Sequence, residues 1–319
     1  PDTLVDFVEW AVGEYPAERY ALILWNHGGG WEPAEMDRLA RAAGAPTYGA
    51  RESVERSRTS LGTAFFSSTV QTILGLHSSS ERAICTDDGS GHSLDTVELG
   101  NVLKKVVDTL GQPLDLLGMD ACLMSNLEVA YQARPYVRYV VASEENEPND
   151  GWPYDAVLQK LTDRPDQSTA DLASHIVRAY IKSYTDRVSL QDVTQTALDL
   201  SQIEKLAGPL DNLAAALIAS MPDAGREIWT SQRHSTHFWH NTLWDIGHFC
   251  EKLAAETTTP AVRRAAGDVR AALAAGPEAF VIAEAHSGAG VASCGGVSVY
   301  LPPPLVGISR YYSDLVYAD

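Results

Sequence analysis

The chain has 319 residues, 45% hydrophobic and 21% charged, a globular mix that excludes disorder and fibrous repeats. Its 24 Lys and Arg stand against 42 Asp and Glu, a net charge of −18, which disfavours nucleic acid and attracts cationic partners. Four cysteines (Cys85, Cys122, Cys250 and Cys294) are too few and scattered for a disulfide framework, and no run approaches the roughly 20 apolar residues of a membrane span.

Apolar Leu4, Phe7, Val8, Ala11 and Val12 recur at helical spacing before Pro16, which predicts a helix over 3–14. Residues 20–25 form a short apolar run leading into Asn26-His27-Gly28-Gly29-Gly30, the pattern of a buried parallel strand entering a loop. Residues 32–82 lose periodicity and cluster five arginines, Arg38, Arg41, Arg51, Arg56 and Arg58; a segment this long reads as a processing or insertion loop. Then come a short strand over 82–86, a helix over 94–110 closed by Gly111, and a second buried strand over 114–118 ending at Met119-Asp120-Ala121-Cys122. A helix over 123–133, a strand over 139–143, a polar loop over 144–152, a helix over 170–184 and an edge strand over 194–200 follow. Strands alternating with helices define an α/β class, a doubly wound, mostly parallel sheet flanked by helices. From Ser201, where Ser201 and Glu204 suggest a capping box, Ala-Leu-rich helices run to about Ala275, and strands over 279–282 and 296–300 close the chain. We therefore divide it into a catalytic core, 1–200, and a C-terminal helical subdomain, 201–319, that returns to the sheet.

The chain lacks a Gly-x-Ser-x-Gly elbow, a phosphate loop, a His-Glu-x-x-His pair and a Cys-x-x-Cys pair, which removes the commonest serine hydrolase, NTPase, zincin and redox readings. What remains is a pair of strand ends. His27 follows one buried strand and Cys122 another, and in open α/β sheets the crevice outside the carboxyl ends of the strands holds the ligand. Cys122 is expected to begin a helix, whose unpaired N–H groups and dipole stabilise a thiolate, the form a nucleophile needs. The N–H groups of Gly28 and Cys122 are candidate oxyanion donors. On the same residues, Cys122 equally reads as a small core side chain and His27 as a turn residue.

The segments over 22–31, 119–124 and 142–154, containing Asn26-His27-Gly28-Gly29-Gly30-Trp31, Asp120-Ala121-Cys122 and Asp150-Gly151-Trp152-Pro153-Tyr154, resemble the signature blocks of clostripain-like cysteine peptidases, in the family's order. The resemblance implies a caspase-like fold and a cysteine endopeptidase with Cys122 as nucleophile and His27, 95 residues earlier, as base and proton donor. It implies cleavage after Arg or Lys, with Asp120 and Asp150 lining an acidic pocket; Trp31 and Trp152 stand where they would flank the crevice and bind substrate, or else simply pack. Asp120 read without it is a helix cap, and Asp150 a turn residue. Family members often cut themselves after the catalytic His, where the Arg38–Arg58 cluster falls, giving a monomer nicked into two associated chains; read without the resemblance, the cluster is a solvated loop whose arginines offset an acidic surface. Two departures, Asn26 where the family commonly has Asp and a start after its usual first strands, support an alternative: a catalytically impaired module that binds basic segments. No cofactor is required, although some relatives depend on calcium, for which Asp87, Asp88, Glu144, Glu145 and Glu147 are candidate oxygen ligands. The partners are protein or peptide substrates bearing basic residues, with no nucleic acid and no membrane. The protein is expected to be soluble, either cytoplasmic or exported.

A third reading, a zinc hydrolase, rests on His234, His237 and His240 with His248 beyond, but steps of three and six residues drift around a helix and spread these imidazoles over its faces. Cys85, Cys250 and Cys294 sit in apolar runs and read as core.

Overall fold

The computed structural model describes residues 1–26, 28–31, 84–85, 94–186, 191–221, 224–238, 242–303, 307–309 and 311–318. His27, the five loop arginines, Asp87, Asp88 and His240 lie outside the described residues.

The main sheet has five strands, β1 (Ala21–Trp25), β2 (Leu114–Asp120), β3 (Val137–Ala142), β4 (Val193–Asp199) and, last in chain order, Val281–Ser287 beside β4. The first three run parallel; β4 is reversed, and the last strand is antiparallel to β4. Alternation along β3 shows how the sheet is sandwiched: Val140 and Ala142 join one apolar cluster, Tyr139 and Val141 the other. Burial of both faces is why these strands read as continuous apolar runs.

The helices cover the two faces. On one side lie α1 (Asp2–Glu14), α2 (Thr96–Leu110) and α3 (Leu127–Ala133), with buried Val5, Val8, Leu99, Leu103 and Leu127. On the other, α4 (Tyr154–Asp163) and α5 (Thr169–Thr185) bury Val157, Ile176, Val177 and Tyr180. The ends of α2 follow local chemistry: Asp95 accepts from the Glu98 N–H while Glu98 accepts from the Asp95 N–H, and Gly111 at φ 69° closes the helix.

The C-terminal half adds α6 (Glu204–Ser220), α7 (Gly225–Arg233), α8 (Ile246–Glu256) and α9 (Pro260–Leu273). It also carries a small antiparallel sheet, β5 (His237–Phe238), β6 (Leu243–Asp245) and a strand over Ser298–Tyr300; with Val281–Ser287 as β7, that strand is β8. Of the two expected terminal strands, one joins the main sheet and the other the small one. The apolar cluster beneath α2 continues without a break into Leu206, Phe249, Leu253, Val262 and Phe280.

Three local expectations change. The strand expected at a sheet edge, β4, is interior, paired with β3 on one side and β7 on the other. The expected capping box at Ser201 does not form; Asp199 instead accepts from both the N–H and the hydroxyl of Ser201 and shapes a 3-10 turn over Leu200–Gln202. The helix expected over 123–133 starts only at Leu127, because Leu123 adopts φ 65° and the Asn126 side chain caps the backbone N–H groups of Glu128 and Val129. Among the described residues, no helix is long and apolar enough to cross a membrane.

Candidate active site

Register brings the carboxyl ends of β1 and β2 side by side: Trp25 pairs with Asp120, and the Asn26 N–H donates to the Asp120 carbonyl at 3.3 Å. Beyond these ends, Gly28 meets Cys122. A Cβ on Gly28 would sit 3.0 Å from the Cys122 nitrogen and inside the contact radius of its carbonyl oxygen, so only glycine fits this approach. The loop after β3 runs along the loop after β2, with Ser125 N–H donating to the Ser143 carbonyl at 2.8 Å.

Cys122 is 4% exposed. Its sulfur accepts from the Glu147 N–H at 3.3 Å and from the Gly28 N–H. Burial nevertheless pushes the thiol well up, and the neighbouring Glu147 and Glu145 carboxylates add to the rise against the help of the two N–H donors. This corrects the expectation of a thiolate held by a helix N-terminus: Cys122 lies in a turn, with helix α3 starting at Leu127. The sulfur faces two backbone donors instead of a helix dipole.

Beside the sulfur lies a buried acidic cluster. Asp120 is 3% exposed, and its Oδ2 accepts from the Trp152 N–H at 3.1 Å and the Tyr154 hydroxyl at 2.7 Å, so it is no helix cap. Gly151, at φ 60°, lets the chain pass so close that a Cβ would stand 2.8 Å from the Asp120 carboxylate. Glu147, also 3% exposed, accepts from Trp152 Nε1 at 3.1 Å and Gln195 Nε2 at 3.3 Å, and its carboxyl hydrogen-bonds that of Asp120. Burial and the Asp120 charge push the Glu147 carboxyl well above the usual range. Two groups at the cluster have no partner among the described residues: the fully buried Tyr180 hydroxyl, which faces Glu147, Cys122 and Asp120, and Oε1 of Gln195.

The structure thus gathers Cys122, Gly28, Asp120 and Trp152, all expected at the site, and adds Glu147, Tyr154, Tyr180 and Gln195. Asp150 is exposed on the same loop, just before Gly151. Trp31 is not a crevice wall; 1% exposed, it packs edge-on against Tyr300 and Tyr312 at 4.7 and 5.1 Å between ring centres. The missed residues left faint signals. Glu147 precedes a proline in an acidic run, and Tyr180 lies within an apolar helical stripe that reads as plain core.

The candidate calcium ligands diverge: Glu145 holds the Asn146 N–H, Glu147 turns to Trp152, and Glu144 accepts from the Gly296 N–H at 3.0 Å. Among the described residues, these three carboxylates are turned to different partners. The Glu144 carboxyl, pushed well up by burial and the nearby Asp245 charge, lies within 4.8 Å of Asp245 and of the Cys294 sulfur, and Asp245 accepts from the N–H groups of His248 and Gly295 at 2.6 and 2.5 Å. This contact ties the loop after β3 to the C-terminal half. The histidines part company: His234 lies 3.7 Å from Glu256, His237 stacks on Trp244 at 4.8 Å, and His248 Nδ1 bonds Thr236. A cavity of about 530 Å³ lies at the opposite, amino ends of β1 and β2, lined by Arg19, Asp115 and Gln167, far from this chemistry.

A mixed α/β sheet with a cysteine beyond the carboxyl end of its second strand, covered by the loops of two neighbours, is the caspase-like fold. The clostripain family model matches residues 68–318, more than half of the sequence, and the chain belongs to that family. It is 27% identical over 169 residues to clostripain of Hathewaya histolytica, an alignment covering 50% of this chain and 24% of that protein. The chain thus spans well under two thirds of that relative's length. An inactive zymogen C11 protease from Parabacteroides distasonis superposes with a TM-score of 0.62 at 18% identity, over 99% of this chain and 74% of that one. A secreted C11 cysteine protease from Bacteroides thetaiotaomicron, in complex with an irreversible peptide inhibitor, gives 0.59 at 17% identity, over 98% and 76%.

Proposed function

We propose that this chain is a cysteine endopeptidase that hydrolyses peptide bonds after Arg or Lys. The observation that carries the reading is the placement of the Cys122 sulfur, under two backbone N–H donors, beside a buried pair of carboxyls. A buried carboxyl pair disfavours apolar side chains and gains most from a guanidinium or ammonium, Arg ahead of Lys where two-pronged hydrogen bonding is possible. Asp150, exposed beside this loop, adds negative charge along the approach. In this mechanism His27 takes the Cys122 proton as the sulfur attacks the carbonyl carbon, and the N–H groups of Gly28 and Cys122 hold the oxyanion. His27 then protonates the leaving amine, and water, deprotonated by the same imidazole, releases the acyl group. Activation proceeds by a cut in the arginine-bearing segment after His27, leaving two associated pieces.

An Arg-ended fluorogenic peptide tests the assignment. Turnover is expected in the wild type and lost in Cys122→Ala and His27→Ala; undiminished turnover in Cys122→Ala would refute it. The family-like binding module without catalysis is separated by an arginyl electrophile, which a pure binder leaves unattached to Cys122. Intact-mass measurement of the purified chain reads the activation step: a nick after Arg38, Arg41, Arg51, Arg56 or Arg58, absent from Cys122→Ala, is the expected result.

A further inference from the structure

We propose that Glu144, Asp245 and Cys294 form a zinc site that pins the loop after β3 to the C-terminal half of the chain. The inference stands apart from the peptidase reading and does not depend on it.

Three separate segments bring the ligands together. Glu144 lies two residues past β3, Asp245 ends β6 and caps α8, and Cys294 closes a turn ahead of β8. One donor atom from each lies within 4.8 Å of the other two. Both carboxylates are fully buried and the thiol nearly so, which sets this cluster apart from a patch of surface acids. Among the described residues, neither carboxylate pairs with a lysine or an arginine. Buried charges of this kind are paired or coordinate a metal.

Two further atoms point to a ligand. Oε1 of Glu144 receives no hydrogen bond among the described residues, although Oε2 takes the Gly296 N–H at 3.0 Å. The Thr196 hydroxyl, also fully buried, has no partner among them either. It stands against Gly296, where a Cβ would meet its oxygen at 2.5 Å, and so places another oxygen beside the cluster. The N–H groups of Gly295 and His248 hold the two Asp245 oxygens at 2.5 and 2.6 Å, which leaves each a lone pair for a cation.

Donor chemistry selects the ion. Calcium and magnesium take six or more oxygens and no sulfur, whereas zinc takes four ligands from thiolate, imidazole and carboxylate. Tetrahedral zinc, with bonds of about 2.3 Å to sulfur and about 2.0–2.2 Å to oxygen, brings its ligand atoms to about 3.3–3.7 Å of one another. The 4.8 Å bound therefore leaves a closure of at most about 1.5 Å, within the reach of side-chain rotation. On binding, the Cys294 thiol proton and any proton held by the carboxyls go to solvent; one thiolate and two carboxylates then face a dication, net −1. Glu147, three residues beyond Glu144 on the same loop, covers the Cys122 sulfur with its N–H, so the ion braces that donor as well.

The test uses the full chain carrying Cys122→Ala, so that the active-site thiol supplies no sulfur. Stripped with a chelator and kept reduced, it is titrated with cobalt(II), which stands in for zinc and reports a sulfur ligand by a thiolate-to-cobalt charge-transfer band in the near ultraviolet. One equivalent is expected to complete the band; zinc is expected to bleach it and to raise the melting temperature. Adding Cys294→Ala is expected to abolish the band and weaken zinc binding by more than about 100-fold. Cys85→Ser and Cys250→Ala are expected to keep it, which locates the sulfur by elimination even where Cys294→Ala does not fold. Glu144→Gln is expected to weaken cobalt binding while the band persists. A band that survives Cys294→Ala, cobalt bound without a band, or no binding at one equivalent overturns the proposal, the last leaving the two carboxyls to share a proton. Peptide turnover enters none of these readouts, so failure here leaves the peptidase reading standing.

Discussion

Gly28→Ala probes the contact on which the site is built. The added methyl would sit 3.0 Å from the Cys122 nitrogen and overlap the Cys122 carbonyl oxygen, both backbone atoms that no rotamer change can clear. Restoring van der Waals contact requires the strand ends to separate by about 1 Å, and overpacking of this kind costs about 1–3 kcal/mol. The larger effect falls on chemistry. The Gly28 N–H, which donates to the Cys122 sulfur, moves with the loop, and a misplacement of about 1 Å is worth about 10²-fold in rate. The expected outcome is a cooperative melt at slightly lower temperature with kcat/KM for an Arg peptide reduced about 100-fold. The assay pairs that rate with a thermal melt of the same preparation. Wild-type rate and stability together would refute the packing argument, and loss of the cooperative melt would refute its local character.

Other expectations follow from individual contacts. Gly267→Ala, in the interior of α9 with nothing within 4 Å of the new methyl, should raise stability by about 1 kcal/mol in denaturant titration, and no gain would contradict the open space described there. Tyr154→Phe removes the hydroxyl that donates to Asp120 at 2.7 Å and that an incoming cation must displace, so KM for an Arg peptide should fall by about tenfold; a rise would mean that the hydroxyl helps hold the cation. Glu128, fully buried, accepts from the Tyr300 N–H at 3.0 Å, and burial raises its carboxyl to about 7 from a usual 4.5. The folded state therefore holds that proton more tightly than the unfolded state, so the stabilisation is complete below pH 4.5 and is lost as pH rises through 7. Unfolding titrations at pH 5 and 8 should show the wild type losing more stability than Glu128→Gln, by on the order of 3 kcal/mol, and parallel losses would refute the assignment.

The fold was legible where local chemistry and burial agree. The apolar runs of β1 and β2 announced strands covered on both faces, and Gly111 marked the end of α2. The start of α3 misled because Leu123 and Met124 continue an apolar pattern that only the turn at Leu123 and the Asn126 cap interrupt. Strands β5, β6 and β8, of two and three residues, are too short for alternation to register. Within the site, Cys122 could be picked out because it lies at a buried strand's end, whereas Asp120 was legible only through the family-like Asp120-Ala121-Cys122 block. Glu147 could not, since its pairing with Asp120 depends on how two loops cross, and no spacing rule encodes that. Trp31 was misplaced for a related reason: an aromatic beside a glycine loop can face either way, and here Tyr300 and Tyr312 claim it from the far end of the chain.

Oxidants read the burial of Cys122 differently from substrates. Peroxide attacks a thiolate it can touch, whereas burial pushes this thiol well up, leaves it 4% exposed and roofs it with the chain at Gly28 and Glu147. A resting molecule is thereby sheltered from sulfenic and sulfinic acid formation, and inactivation by oxidation becomes a hazard of turnover rather than of storage.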